Sequence, residues 1–162
     1  MRYMDRLARA LAFALLFVAW TNGGAEEFAV PTDDGWHAWR IQGESDLVRI
    51  YVRINDGSPT RIRFRGKACM MDEPTDFQDL GVIDNEFSIA WLVEKVGADS
   101  RVSEDAIAAI SAHAGDAAFT ALTGLLEDRG RGKKTREQAL FWLAQTNSDR
   151  AFAYLDALIS RN

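Results

Sequence analysis

One cysteine, Cys69, two histidines, His37 and His113, and the carboxylates between Asp72 and Glu86 are the residues whose types could carry chemistry in this chain. Cys69 stands in KACMMDEP, beside Met70 and Met71, and three soft sulfurs would suit Cu(I). Successive side chains on a strand point to opposite faces, so three in a row do not converge there. The expectation is a buried thiol with methionines filling gaps. A catalytic cysteine needs a base, and nothing in the spacing ties either histidine to Cys69. His113 falls where a helix should end, so its ring is expected to bond the last carbonyls. Two remote histidines do not make a zinc site. Asp72, Glu73, Asp76, Asp79, Asp84 and Glu86 offer oxygens without the glycine-centred alternation of a calcium loop. They read as a solvated or arginine-paired loop. RGRG, from Arg129 to Gly132, lacks the Lys-Ser/Thr sequel and the preceding strand of a phosphate loop. No catalytic residue, cofactor or metal is expected.

The arginines are better organised. LVRIYVRI sets Val48, Ile50, Val52 and Ile54 against Arg49, Tyr51 and Arg53, and TRIRFRGKA sets Ile62 and Phe64 against Arg61, Arg63, Arg65 and Lys67. Two alternating β-branched runs joined by NDGSP predict a β-hairpin with an apolar inner face and a basic outer face. WHAWRI is a candidate third strand, because a lone hairpin is marginal in water. Two readings of the basic face stay open. Arginines can simply snorkel over a solvated sheet, with the acidic segment 72–86 folded back on them. Alternatively, Arg49, Arg53, Arg61, Arg63 and Arg65 form a surface for an acidic partner.

From Asn85 the period becomes helical, although Phe87, Ile89, Trp91 and Val93 also alternate as a strand would. Ile89, Leu92, Val93 and Val96 follow i, i+3, i+4, i+7, with Asn85 as the expected cap and Gly97 as the expected end. Further on, SEDAIAAISAHAGDAAFTALTGLL aligns without a gap on REQALFWLAQTNSDRAFAYLDALI at a spacing of 33, with seven of 24 positions identical. That match defines two repeats, about 103–128 and 135–160. Each reads as a helix capped by Ser103 or Thr135, a short break, and a second helix capped by Asp116 or Asp149. Phe141 and Trp142 replace Ala108 and Ala109 of the first unit. These aromatics either seal the end of a stack or form a contact surface.

The two units resemble the HEAT-like repeats of small exported bacterial HEAT-repeat-domain proteins. The hairpin LVRIYVRINDGSPTRIRFRGKACMMD with its single cysteine, followed by FSIAWLVEKV, is similar to the part that precedes the repeats there. The resemblance implies a protein-interaction scaffold without chemistry of its own. This chain departs from the pattern in having only two clear repeats, where solenoids generally need three or more, so the helix from Asn85 is expected to act as a cap.

Residues 1–25 read as a secretory signal peptide. Arg2, Arg6 and Arg9 precede the apolar run Ala10–Trp20, and small residues end at Ala25. The run is too short for a membrane span, which needs about 20 residues. Removing those three arginines and Asp5 takes the net charge from −5 to −7, which argues against nucleic acid as a partner. The expected fold is α+β: a signal peptide, a small antiparallel sheet within 26–84, and HEAT-like helix pairs forming a short α-solenoid over 85–162. The expected role is a non-catalytic scaffold in the periplasm that binds an envelope protein, with no membrane span once the signal is removed. Its candidate surface is Phe141, Trp142 and Tyr154. The alternative is a ligand- or inhibitor-type module that holds an acidic partner on the arginine face.

Overall fold

A computed structural model describes residues 30–66, 73–97, 100–146 and 148–160. The expected signal peptide, and Cys69 with Met70 and Met71, lie outside the described residues. The alternating runs become β1 (Gly35–Gln42), β2 (Leu47–Asn55) and β3 (Ser58–Arg65), followed by a short β4 (Gln78–Val82). The helical periods become α1 (Asn85–Lys95), α2 (Arg101–Ile110), α3 (Asp116–Glu127), α4 (Lys133–Gln145) and α5 (Asp149–Ile159). The class is therefore α+β.

Asp56 and Gly57 both have positive φ, 50° and 68°, which a two-residue hairpin turn requires, and they join β2 to β3 with Asn55 opposite Ser58. Gly43 in the β1–β2 turn has no room for a side chain: a Cβ there would stand 2.7 Å from a Val48 methyl and 2.8 Å from the Asp46 carbonyl.

The sheet order is β3-β2-β1-β4, and the sheet is mixed rather than antiparallel, because β4 runs parallel to β1. This corrects the sequence expectation, and the reason is the route of the chain. β3 ends level with the C-terminal end of β1, since Arg65, Arg49 and Arg40 share a register row. To enter beside His37 and run parallel, the chain must first return to the other end of the sheet. The returning residues 73–77 lie over the outer face.

The inner face carries Trp39, Ile41, Ile50, Val52, Ile54 and Ile62, all essentially buried beneath the helices. Each such side chain removed from water contributes about 1.5–3 kcal/mol. Trp39 meets Trp91 of α1 edge to face at 5.4 Å. Sheet and helices thus share one continuous core. Asp105 of α2 accepts a bond from the Ile62 backbone N–H at 3.4 Å, which occupies a donor on the outer edge of β3.

Helix starts differ from expectation by a residue or a few. Asp84, not Asn85, caps α1, its carboxylate accepting from the Glu86 N–H at 2.8 Å. Asn85 is instead used as a clamp. Its side chain accepts from the Gln42 N–H and donates to the Gln42 and Ala114 carbonyls, joining the end of β1 to the α2–α3 loop. Ser100 caps α2 and Ser148 caps α5, so both helices begin ahead of the positions read from the repeat. α4 starts at Lys133 with no side-chain cap, so Thr135 is internal and buried.

His113 does bond the last carbonyls of α2: its Nδ1 lies 3.0 Å from the Ala109 oxygen and 3.2 Å from that of Ile110. Two acceptors there require the proton on Nδ1. Nε2 is then a lone pair that accepts from the Ser88 hydroxyl at 2.8 Å, and Ser88 accepts from the Trp39 indole N–H at 2.8 Å. Burial pushes the His113 pKa from 6.5 down to about 4, outweighing the bonds to Ala109 and Ile110 that raise it. The unfolded chain takes up a proton near pH 6.5, which the folded chain resists until about pH 4. Stability from this source is complete above pH 6.5 and is lost as pH falls towards 4, by about 3 kcal/mol. Urea unfolding of the wild type across pH 7 to 4 is expected to show that slope in excess of His113→Gln, whose carboxylates titrate alike.

Candidate functional site

Strand register decides which arginines meet. On the outer face, Trp36, Arg53 and Arg61 lie in one row, Ala38, Tyr51 and Arg63 in the next, and Arg40, Arg49 and Arg65 in the third. Like charges directly opposite on neighbouring strands repel, so the first and third rows need compensation. It comes from three directions. Glu73, on the returning segment, lies 3.0 Å from Arg65 and 4.0 Å from Arg49. Arg65 beside it holds its carboxyl below the usual range. Asp79 of β4 approaches Arg40 at 3.7 Å, and Asp105 of α2 approaches Arg61 at the same distance. Phe77 covers the middle of the face. It stacks edge to face on Tyr51 at 5.3 Å and lies 5.4 Å from the Arg49 guanidinium. Tyr51, expected on the exposed side, is fully buried as a result.

The acidic segment therefore covers part of the basic face. Arg49 and Arg65 are drawn under it, and Arg61 is turned towards α2. Arg53 and Arg63 remain exposed, with no carboxylate at ion-pair distance among the described residues. They flank the Trp36 ring at 6.0 and 5.4 Å. The sequence reading missed Arg40 and Trp36, although the same alternation in WHAWRI places both on the arginine side. It also left open which acids would fold back, because that depends on the direction of β4.

The aromatics of the second repeat divide. Trp142 is half-buried and meets Phe64 of β3 edge to face at 6.3 Å, so it helps close the helices onto the sheet. Phe141, its neighbour, is 52% exposed. Tyr154 donates to Glu127 at 2.8 Å and stacks on Phe119 at 5.9 Å, tying α5 to α3. Arg150 reinforces that link, 2.7 Å from Asp116 and 4.3 Å above the Phe119 ring. The larger signal lies at residues the sequence reading treated as core. Leu122 and Leu125 of α3 are buried, but their counterparts Leu155 and Leu158 on α5 are only half-buried. Phe152 and Ile159, one above the other on α5, are 55% and 75% exposed.

Ser88 and His113 lie at the distance of a nucleophile and its base. Ser88 is completely buried, its oxygen also accepts from Trp39, and His113 is 2% exposed. No substrate atom can reach the hydroxyl, so the pair is a structural joint. Among the described residues, no cluster of three or more His, Cys, Asp and Glu is placed to hold a metal ion, and no helix is long and apolar enough to cross a membrane.

The Trp36–Arg63 contact is expected to contribute about 0.5–1 kcal/mol. A double-mutant cycle of Trp36→Ala and Arg63→Ala in urea unfolding measures it, and zero coupling would make the ring a bystander. No family model, curated protein or solved structure matches the chain.

Proposed function

We propose that this protein is an exported, non-catalytic interaction scaffold, built on two HEAT-like repeats and working in the periplasm, that seats an envelope protein against the free side of α5. The observation that carries the reading is the mismatch between the repeats. Leu122 and Leu125, buried in the first unit, become the half-buried Leu155 and Leu158 on α5, and the half-buried Phe119 and Leu126 become the exposed Phe152 and Ile159, with Phe141 exposed on α4. A helical hairpin presents such a face on any side against which no neighbour is packed. Three exposed large apolar side chains on adjacent helices are a costly surface for a protein that works alone. The internal match at a spacing of 33 supports the repeat assignment: α3 and α5 both begin at the matched aspartate, and Ala106 and Ala139, like Ile110 and Leu143, are equally buried.

A second reading is favoured by the exposure of Arg53 and Arg63 around Trp36. There an acidic protein partner would be held through salt-sensitive contacts on the half of the sheet that the acidic segment leaves open.

Phe152→Glu separates the two. In-cell crosslinking of the full chain is expected to give a defined adduct that this change removes while circular dichroism and thermal unfolding stay close to wild type. Arg53→Glu with Arg63→Glu should leave the adduct intact. The reverse pattern would move the function to the sheet. A homodimer in light scattering that Phe152→Glu dissolves would make the occupant a second copy of the chain rather than an envelope protein.

A further inference from the structure

The third row of the sheet face is built differently from the rest. Arg40, Arg49 and Arg65 stand side by side on three neighbouring strands, roughly 4.8 Å apart at the backbone, along an open cleft of about 480 Å³. Three cations face two ion-paired carboxylates, Glu73 and Asp79. Only the Arg65–Glu73 contact is at hydrogen-bond distance; the Asp79 and second Glu73 contacts are 3.7 and 4.0 Å. Arg49 has one further bond, a long one of 3.5 Å to the Tyr51 hydroxyl. Among the described residues, the Nε of Arg40, the Nε of Arg49 and one terminal nitrogen of Arg65 are buried without an acceptor. Counted over the described residues, this row of guanidiniums is under-satisfied in both charge and hydrogen bonds.

We infer that this cleft is an oxyanion site for a phosphate monoester or inorganic phosphate, with Glu73 as a resident carboxylate that holds the arginines in place when the ligand is absent. Phosphate suits the row because its oxygens can accept from several planar forks at once, which one carboxylate cannot do. The arginines are held ready by the fold: Phe77 lies against Arg49, and the strand ladder sets the spacing. Glu73 is the replaceable member. Its side chain is 47% exposed, and its ion pairs are to Arg49 and Arg65 alone among the described residues. Leu47 and Asp46 line the same cleft, so a ligand carrying a small apolar group beside its phosphate has a surface to lie on, while Asp46 disfavours a second negative charge at that end. The site does not depend on α5 or on Arg53 and Arg63, and it stands or falls apart from the scaffold reading.

The test is calorimetric titration of the folded chain with inorganic phosphate, with ionic strength held constant by chloride. Saturable binding is expected. It should tighten roughly ten-fold in Glu73→Gln, the effect of freeing one charge-assisted bond. It should be lost in Arg40→Gln and Arg49→Gln and be unchanged in Arg53→Gln. If Arg49→Gln does not fold, Arg40→Gln and Glu73→Gln decide the matter. Sedimentation with phosphatidic acid vesicles, whose headgroup is a phosphate monoester, in the presence and absence of phosphate, identifies the source. Phosphate-competed vesicle binding assigns a lipid headgroup, and phosphate binding without vesicle binding assigns a soluble phosphate; either outcome supports the site. No saturable heat in Glu73→Gln, heat that chloride reproduces, or binding that survives Arg40→Gln would overturn it.

Discussion

A serine hydroxyl shared between an indole and an imidazole holds the molecule together. Ser88 of α1 takes a hydrogen bond from Trp39 of β1 and gives one to His113 beyond α2. One buried oxygen thus fixes the relative position of the sheet, the first helix and the end of the second. Such a network is stable only when every member is satisfied, which is why His113 must stay neutral and why its two backbone partners matter. Asn85 does the same work at the rim with the Gln42 and Ala114 carbonyls. Everything else is laid on this joint: the sheet presents one face to the helices, and the helices extend away from it as far as α5.

The outer face shows how topology sets electrostatics. Six arginines on three strands would repel one another in an open sheet. The parallel entry of β4 sends the chain back across the face and delivers Glu73, Phe77 and Asp79 to three of them. The result is a graded surface. Among the described residues, one end is paired but under-satisfied around Arg40, Arg49 and Arg65, and the other is open around Trp36, Arg53 and Arg63. Because exposed pairs of this kind contribute little to stability, typically about 0–1 kcal/mol each, the arrangement is better read as shaping a surface than as holding the fold.

The helical part shows the opposite logic. α3 is enclosed because α4 packs along it, whereas α5 touches α4 only lightly and has Phe152 and Ile159 exposed. Equivalent leucines therefore have different surroundings in the two units. Tyr154 and Arg150 pull α5 towards α3 and leave Phe152 and Ile159 facing out.

Period alone determined most of the elements. The alternation at Val48–Ile54 and Arg61–Arg65, the Asp-Gly turn and the helical spacing from Ile89 set strands, hairpin and helices, because those signals are local and steric. The match at a spacing of 33 marked Ala106, Ala139, Ile110 and Leu143 as inner positions, and His113 was legible as a helix-end ligand for carbonyls. What only the tertiary structure decided is everything that depends on where a distant segment passes. The direction of β4, the burial of Tyr51, the choice of Glu73 as the acid for Arg65, and the split between an inward Trp142 and an outward Phe141 belong to that class. So does the exposure of Phe152. A repeat pattern states which side chains are built to face a neighbour, and only the folded chain shows whether a neighbour is there.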